Sequence, residues 1–121
     1  MLTYLKLLIF PDIRLAIILT TILTVLICVG TLTPVTEKID APGSDKWHHV
    51  IAFTVLVYPL TVASRSYWIP ASIFGLSLGA SIDLIQPYVN RFSDIKDLQA
   101  DIIGVSVGLL IGLLARKIKP N

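Results

Sequence analysis

Four long apolar runs separated by short polar stretches set out this chain. Residues 15–32 form an uncharged run of 18 residues, diluted only by Thr, Cys28 and Gly30, the length that crosses a bilayer as a helix. Before it, residues 1–14 place apolar side chains around Lys6 and then reach Pro11 and Asp12. This predicts a short interfacial helix stopped at Pro11, with Asp12 capping the first span. The apolar stretch is long and no small-residue cleavage site follows it, so a membrane helix is expected rather than a signal peptide. A polar loop with Glu37, Lys38, Asp40, Pro42 and Gly43 precedes the second span. Ser44 or Asp45 caps that span, Pro59 should kink it, and Arg65-Ser66 should turn the chain back. Tyr67 and Trp68 stand at a membrane interface. The third span loosens at Gln86, because Pro87 disfavours helix there. The fourth opens on Ser93 or Asp94 and closes on Arg116, Lys117 and Lys119, the polarity a helix dipole favours. The expected helices cover about 14–33, 45–64, 68–86 and 94–115 of one domain, 1–121.

Composition gives those runs their setting. Hydrophobic residues make up 55% of the 121 positions and charged residues 15%, and mean hydropathy is +0.80. A water-soluble domain of this size has no room to bury so much apolar surface. The expected class is all-α, an integral membrane four-helix bundle in contact with the lipid bilayer. Four spans put both ends on one side. Lys6, Arg14, Arg65, Arg116, Lys117 and Lys119 lie on that side, against Asp12 alone. The opposite loops carry Lys38, Lys46, Arg91 and Lys96 against five acids, so the positive-inside rule places both termini in the cytoplasm. A net charge of +2 without a basic run excludes nucleic acid as a partner. Cys28 is the single cysteine, which leaves no intramolecular disulfide.

Polar residues inside the apolar runs are the candidate chemistry. Gly75, Gly79, Asp83 and Gln86 recur at intervals of four, four and three, one face of a helix. A carboxylate at the centre of an apolar membrane helix costs about 2.5–3.5 kcal/mol on insertion scales, so it must face protein or water. On the fourth span Asp94, Asp97 and Asp101 lead into Gly104, Gly108 and Gly112, a ribbon built for close helix contact. At 1.5 Å per residue, Asp83 lies roughly 6–9 Å below the outer end of its helix, and His49 and Asp101 about 6 Å below theirs. A single outer-face polar cluster of Asp45, His49, Asp83, Gln86, Arg91, Asp97 and Asp101 is the economical expectation. It reads as a hydrogen-bond network that fixes helix register, or as an acid/base pair of His49 and Asp83. Arg91 either grips an anionic ligand group or pairs with Asp94 or lipid head groups. No spacing supports a metal site, and no cofactor is expected.

The ordered set Ser44-Asp45-Lys46-x-x-His49-x-x-Ala52-Phe53, Gly79-x-x-x-Asp83-x-x-Gln86, Arg91, and Asp97-x-x-Ala100-Asp101-x-x-Gly104 with Gly108 resembles the VanZ-like family. The resemblance covers most of the chain from Pro34 to Gly112. Asp83 stands where the family usually has Glu, and Asp101 where it has Asn. It implies a small protein of the bacterial cytoplasmic membrane, associated with teicoplanin resistance. The outer cluster would then engage a lipid-linked or lipoglycopeptide-type ligand. Two other functions fit the residues: an accessory subunit packed through its glycine ribbon into a larger membrane complex, and a membrane enzyme using His49 and Asp83. A proton-coupled exporter would require an acid within the first span, where none stands.

Overall fold

The computed structural model describes residues 2–33, 44–89 and 95–118. Within them the chain is helical, without a strand: α1 (Leu2–Ile9), α2 (Ile13–Leu32), α3 (Ser44–Ala63), α4 (Trp68–Ile85) and α5 (Ile95–Ile118). The stretches Ile13–Leu32, Arg65–Tyr88 and Lys96–Ile118 are long and apolar enough to cross a membrane. α3, Ser44–Ala63, is 20 residues long, with an apolar stretch at Trp47–Ala63, and lies against α2, α4 and α5.

The boundaries follow local chemistry. Asp12 caps α2, its carboxylate accepting from the Leu15 N–H at 2.8 Å. Arg65–Tyr67 forms a single 3-10 turn between α3 and α4. The chain leaves α4 at Ile85 and winds through a 3-10 turn at Gln86–Val89, as Pro87 requires. Pro59 lies inside α3, which continues through it. Hydroxyl groups on the spans turn inward on their own helices. Thr21, Thr24 and Thr31 in α2, Ser72 in α4 and Ser106 in α5 each donate to the carbonyl four residues back. That satisfies them without a partner helix, which is how such residues persist in lipid.

The core gathers Phe53, Leu56 and Val57 of α3, Ala71 and Ile82 of α4, Val105 of α5 and Ile27 of α2. Its densest seam joins α3 to α5 along the glycine ribbon. A Cβ at Gly104 would lie 2.6 Å from the Val50 carbonyl oxygen, and one at Gly108 would lie 2.6 Å from that of Thr54. At Gly112 it would meet Thr61 Cβ at 2.8 Å. The two backbones touch, and Thr54 Oγ1 bridges them by donating to the Gly104 carbonyl at 3.1 Å. Gly75 of α4 receives Val105 and Val57 in the same manner. The ribbon is therefore covered within the chain, and the motive it gave for a larger complex falls away. At the other end of the seam Arg116 donates to the Val62 carbonyl. Tyr58 fastens α1 by donating to the Ile9 carbonyl at 2.6 Å.

Candidate functional site

Glycine packing decides which polar groups meet. Because Gly104 lies on Val50, the residue one turn earlier on α5, Asp101, arrives beside His49. His49 Nδ1 and Asp101 Oδ1 are 2.7 Å apart. The Asp101 side chain is fully buried, at 0% exposure, and that of His49 retains 11%. On its far side the carboxyl rests on α4, where a Cβ at Gly79 would come within 2.6 Å of Oδ2. Gly79 is thus the floor of the site. Of the aspartates the sequence placed in one cluster with His49, Asp101 is a hydrogen-bond partner, because the ribbon brings α5 against the first turns of α3. Asp83 and Asp97 stand close enough for their charges to act on the His49 ring, and each is engaged in polar interactions of its own.

The other expected members sort as follows. Asp97 is buried, at 3% exposure, one turn above Asp101. Gln86 is buried too, at 1%, but reaches α2, where Nε2 donates to the Thr31 carbonyl at 3.1 Å. It ties the C-terminal ends of α4 and α2 together. Arg91 and the side chain of Asp45 lie outside the described residues. Among the described residues, no three His, Cys, Asp or Glu side chains converge as metal ligands would.

Some buried acceptors of the site keep unused capacity. Asp101 Oδ2 and Gln86 Oε1 find no hydrogen-bond donor among the described residues. Each such acceptor costs about 1–3 kcal/mol, a cost relieved when a proton or a donor from outside reaches it.

The His49 ring also borders an open cleft of about 450 Å³ between α2 and α3, lined by Leu26, Ile27, Gly30, Thr31 and His48 among others. His49 is thus shared between the cleft and the contact of its Nδ1 with Asp101. A carboxylate on one ring nitrogen fixes the orientation of the imidazole and makes the other nitrogen available for proton exchange or a ligand hydrogen bond. Sequence reading missed the α2 wall of this cleft. Gly30 is its one visible signal, a glycine outside the four-residue ribbons, and a Cβ there would meet nothing within 4 Å.

No family model matches the chain, and neither a curated protein nor a solved structure matches it.

Proposed function

We propose that the protein is a four-helix bundle of the bacterial cytoplasmic membrane, with both termini in the cytoplasm. In this reading its outer-face polar cluster binds a lipid-linked or lipoglycopeptide-type ligand and thereby alters susceptibility to teicoplanin. The observation that carries the reading is the His49–Asp101 pair, seated on Gly79 and opening into the α2–α3 cleft. A buried ion-pair geometry beside an open apolar cleft suits an amphiphile, whose head meets the polar pair while its chain meets the helix walls. The order of the VanZ-like motifs supports the same reading, and the six basic residues at one end of the bundle support its orientation. The test compares cells carrying wild type, His49→Ala and Asp101→Asn at equal membrane levels. The reading expects both variants to lose the effect on teicoplanin susceptibility; unchanged susceptibility and unchanged envelope behaviour in both would refute it.

A second reading, a membrane enzyme, is favoured by the same 2.7 Å contact, since a carboxylate-oriented imidazole is the form of a general base. A pH–rate profile that disappears with His49→Ala is its distinguishing mark.

A further inference from the structure

The end of the bundle away from His49 is built of different residues. From His49 to Ala63 α3 rises about 21 Å at 1.5 Å per residue and then enters the turn Arg65–Tyr67. Here the apolar stretch Arg65–Tyr88 begins and the stretch Lys96–Ile118 ends. Arg116 joins the two places, for its Nη1 donates to the Val62 carbonyl at 3.1 Å. Arg65 follows Val62 by three residues, which at full extension reach about 11 Å. Both arginines therefore belong to one turn. Arg65 is exposed and Arg116 half-buried, and four of the five guanidinium N–H donors of Arg116 remain beyond its bond to Val62. The hydroxyls of Ser64 and Ser66 lie 3.1 Å apart; whichever donates, the other keeps its hydrogen. Tyr67 and Trp68, both exposed, come next, rings of the kind that sit at the level of lipid head groups.

The charge at this end has one sign. Lys117 adjoins Arg116, and the Tyr58–Ile9 hydrogen bond brings α1 and the start of α2, with Lys6 and Arg14, to the same end. Asp12 is the one acid among the described residues there, and its carboxylate is engaged in capping α2. Among the described residues none of these five cations pairs with a carboxylate. The acids of residues 34–43 and 90–94 join the chain at the other ends of α3 and α5, about 30 Å or more away at 1.5 Å per residue.

We propose that the α3–α4 turn binds the head group of an anionic phospholipid, with Arg65 and Arg116 on its phosphate and the serine hydroxyls beside them. A guanidinium meets phosphate oxygens with paired N–H donors, and a basic cluster at the end of a span attracts anionic lipid. Phosphatidylcholine, whose head carries no net charge, gains no such attraction. The site is separate from the polar cluster at His49 and from any ligand of that cluster.

The test uses the full chain in phosphatidylcholine nanodiscs, with Trp47→Phe leaving Trp68 as the single tryptophan, beside the turn. A small fraction of either phosphatidylglycerol or phosphatidylcholine carries bromine near the head-group end of its chains, and quenching of Trp68 reads which lipid sits there. Each surface cation is worth about fivefold toward an anionic lipid, so phosphatidylglycerol is expected to be enriched by about tenfold to thirtyfold. Arg65→Gln, at an exposed position, should cost about fivefold of that preference, and adding Arg116→Gln should abolish it. Lys6→Gln removes the same charge elsewhere at this end and should cost less. Equal quenching by the two lipids overturns the proposal, and so does a preference unchanged by Arg65→Gln. An equal loss in Lys6→Gln and Arg65→Gln marks a diffuse field and overturns it as well. Loss of the preference in millimolar inorganic phosphate at constant ionic strength overturns the lipid assignment in favour of a soluble phosphate ion. Should the doubly substituted protein not fold, the Arg65→Gln result decides alone.

Discussion

The seam between α3 and α5 and the boundary between α2 and α3 lie a few residues apart on the same helix, yet they are built of different material. Across the seam, glycine brings backbone to backbone, and any added methyl group meets a carbonyl or a buried side chain. Across the boundary, only Ala16, Thr20 and Ile27 of the twenty residues of α2 are buried, and Gly30 faces empty space. His49 belongs to both regions. Its Nδ1 is pinned to Asp101 within the seam, and the residue also lines the loosely packed cleft. In lipid, where apolar surface gains nothing by leaving solvent for another helix, close packing is what holds helices together. The rigid seam therefore fixes the polar pair, and the poorly packed side is where a ligand can enter.

The contrast is broken most severely at Gly108. Gly108→Leu drives a side chain into Thr54 and Val57 of α3; overpacking of this kind costs about 1–3 kcal/mol and occasionally more. Thermal unfolding in detergent should show a markedly lowered transition, or little folded protein at all. Next is Gly79→Ala, whose methyl group displaces the Asp101 carboxyl, at about 1–3 kcal/mol. Solid-state NMR of His49 nitrogen should lose the signature of a carboxylate-bound Nδ1, while the α3–α5 seam stays intact. Tyr58→Phe removes one hydrogen bond, about 0.5–1.5 kcal/mol, and hydrogen exchange should report earlier release of α1 with α5 unaffected. The smallest effect is expected at Gly30. Gly30→Ala meets nothing, so improved helix propensity should stabilise α2 by up to about 1 kcal/mol. A Gly30→Ala protein as damaged as a Gly104→Ala protein would erase the distinction between the two regions.

Much of this was legible in the sequence because membrane helices are written in long runs. The apolar stretch after Asp12, the stop at Pro87 and the acidic-to-basic polarity of α5 each translate directly into an element boundary. Gly104, Gly108 and Gly112 announced a close contact, since four-residue spacing of small residues has few other uses, although spacing does not say which helix answers. That silence is why the spacing alone did not single out Asp101 as a partner of His49. Counting residues along each helix puts Asp83 and Asp101 at similar depth, whereas the packing of α5 seats Asp101 on Gly79, one turn of α4 before Asp83. The cleft was invisible for a related reason. Leu26, Gly30 and Thr31 of α2 look like any lipid-facing residues, because a gap arises from what fails to pack and leaves no pattern in one helix.

The central claim is that His49 and Asp101 act as one unit across the α3–α5 seam. A double-mutant cycle of His49→Ala and Asp101→Ala, read by reversible unfolding in a mild detergent, tests it most directly. The account predicts a coupling of about 0.5–3 kcal/mol, as for buried residues in contact. Additivity within about 0.3–0.5 kcal/mol, the behaviour of independent sites, would contradict it.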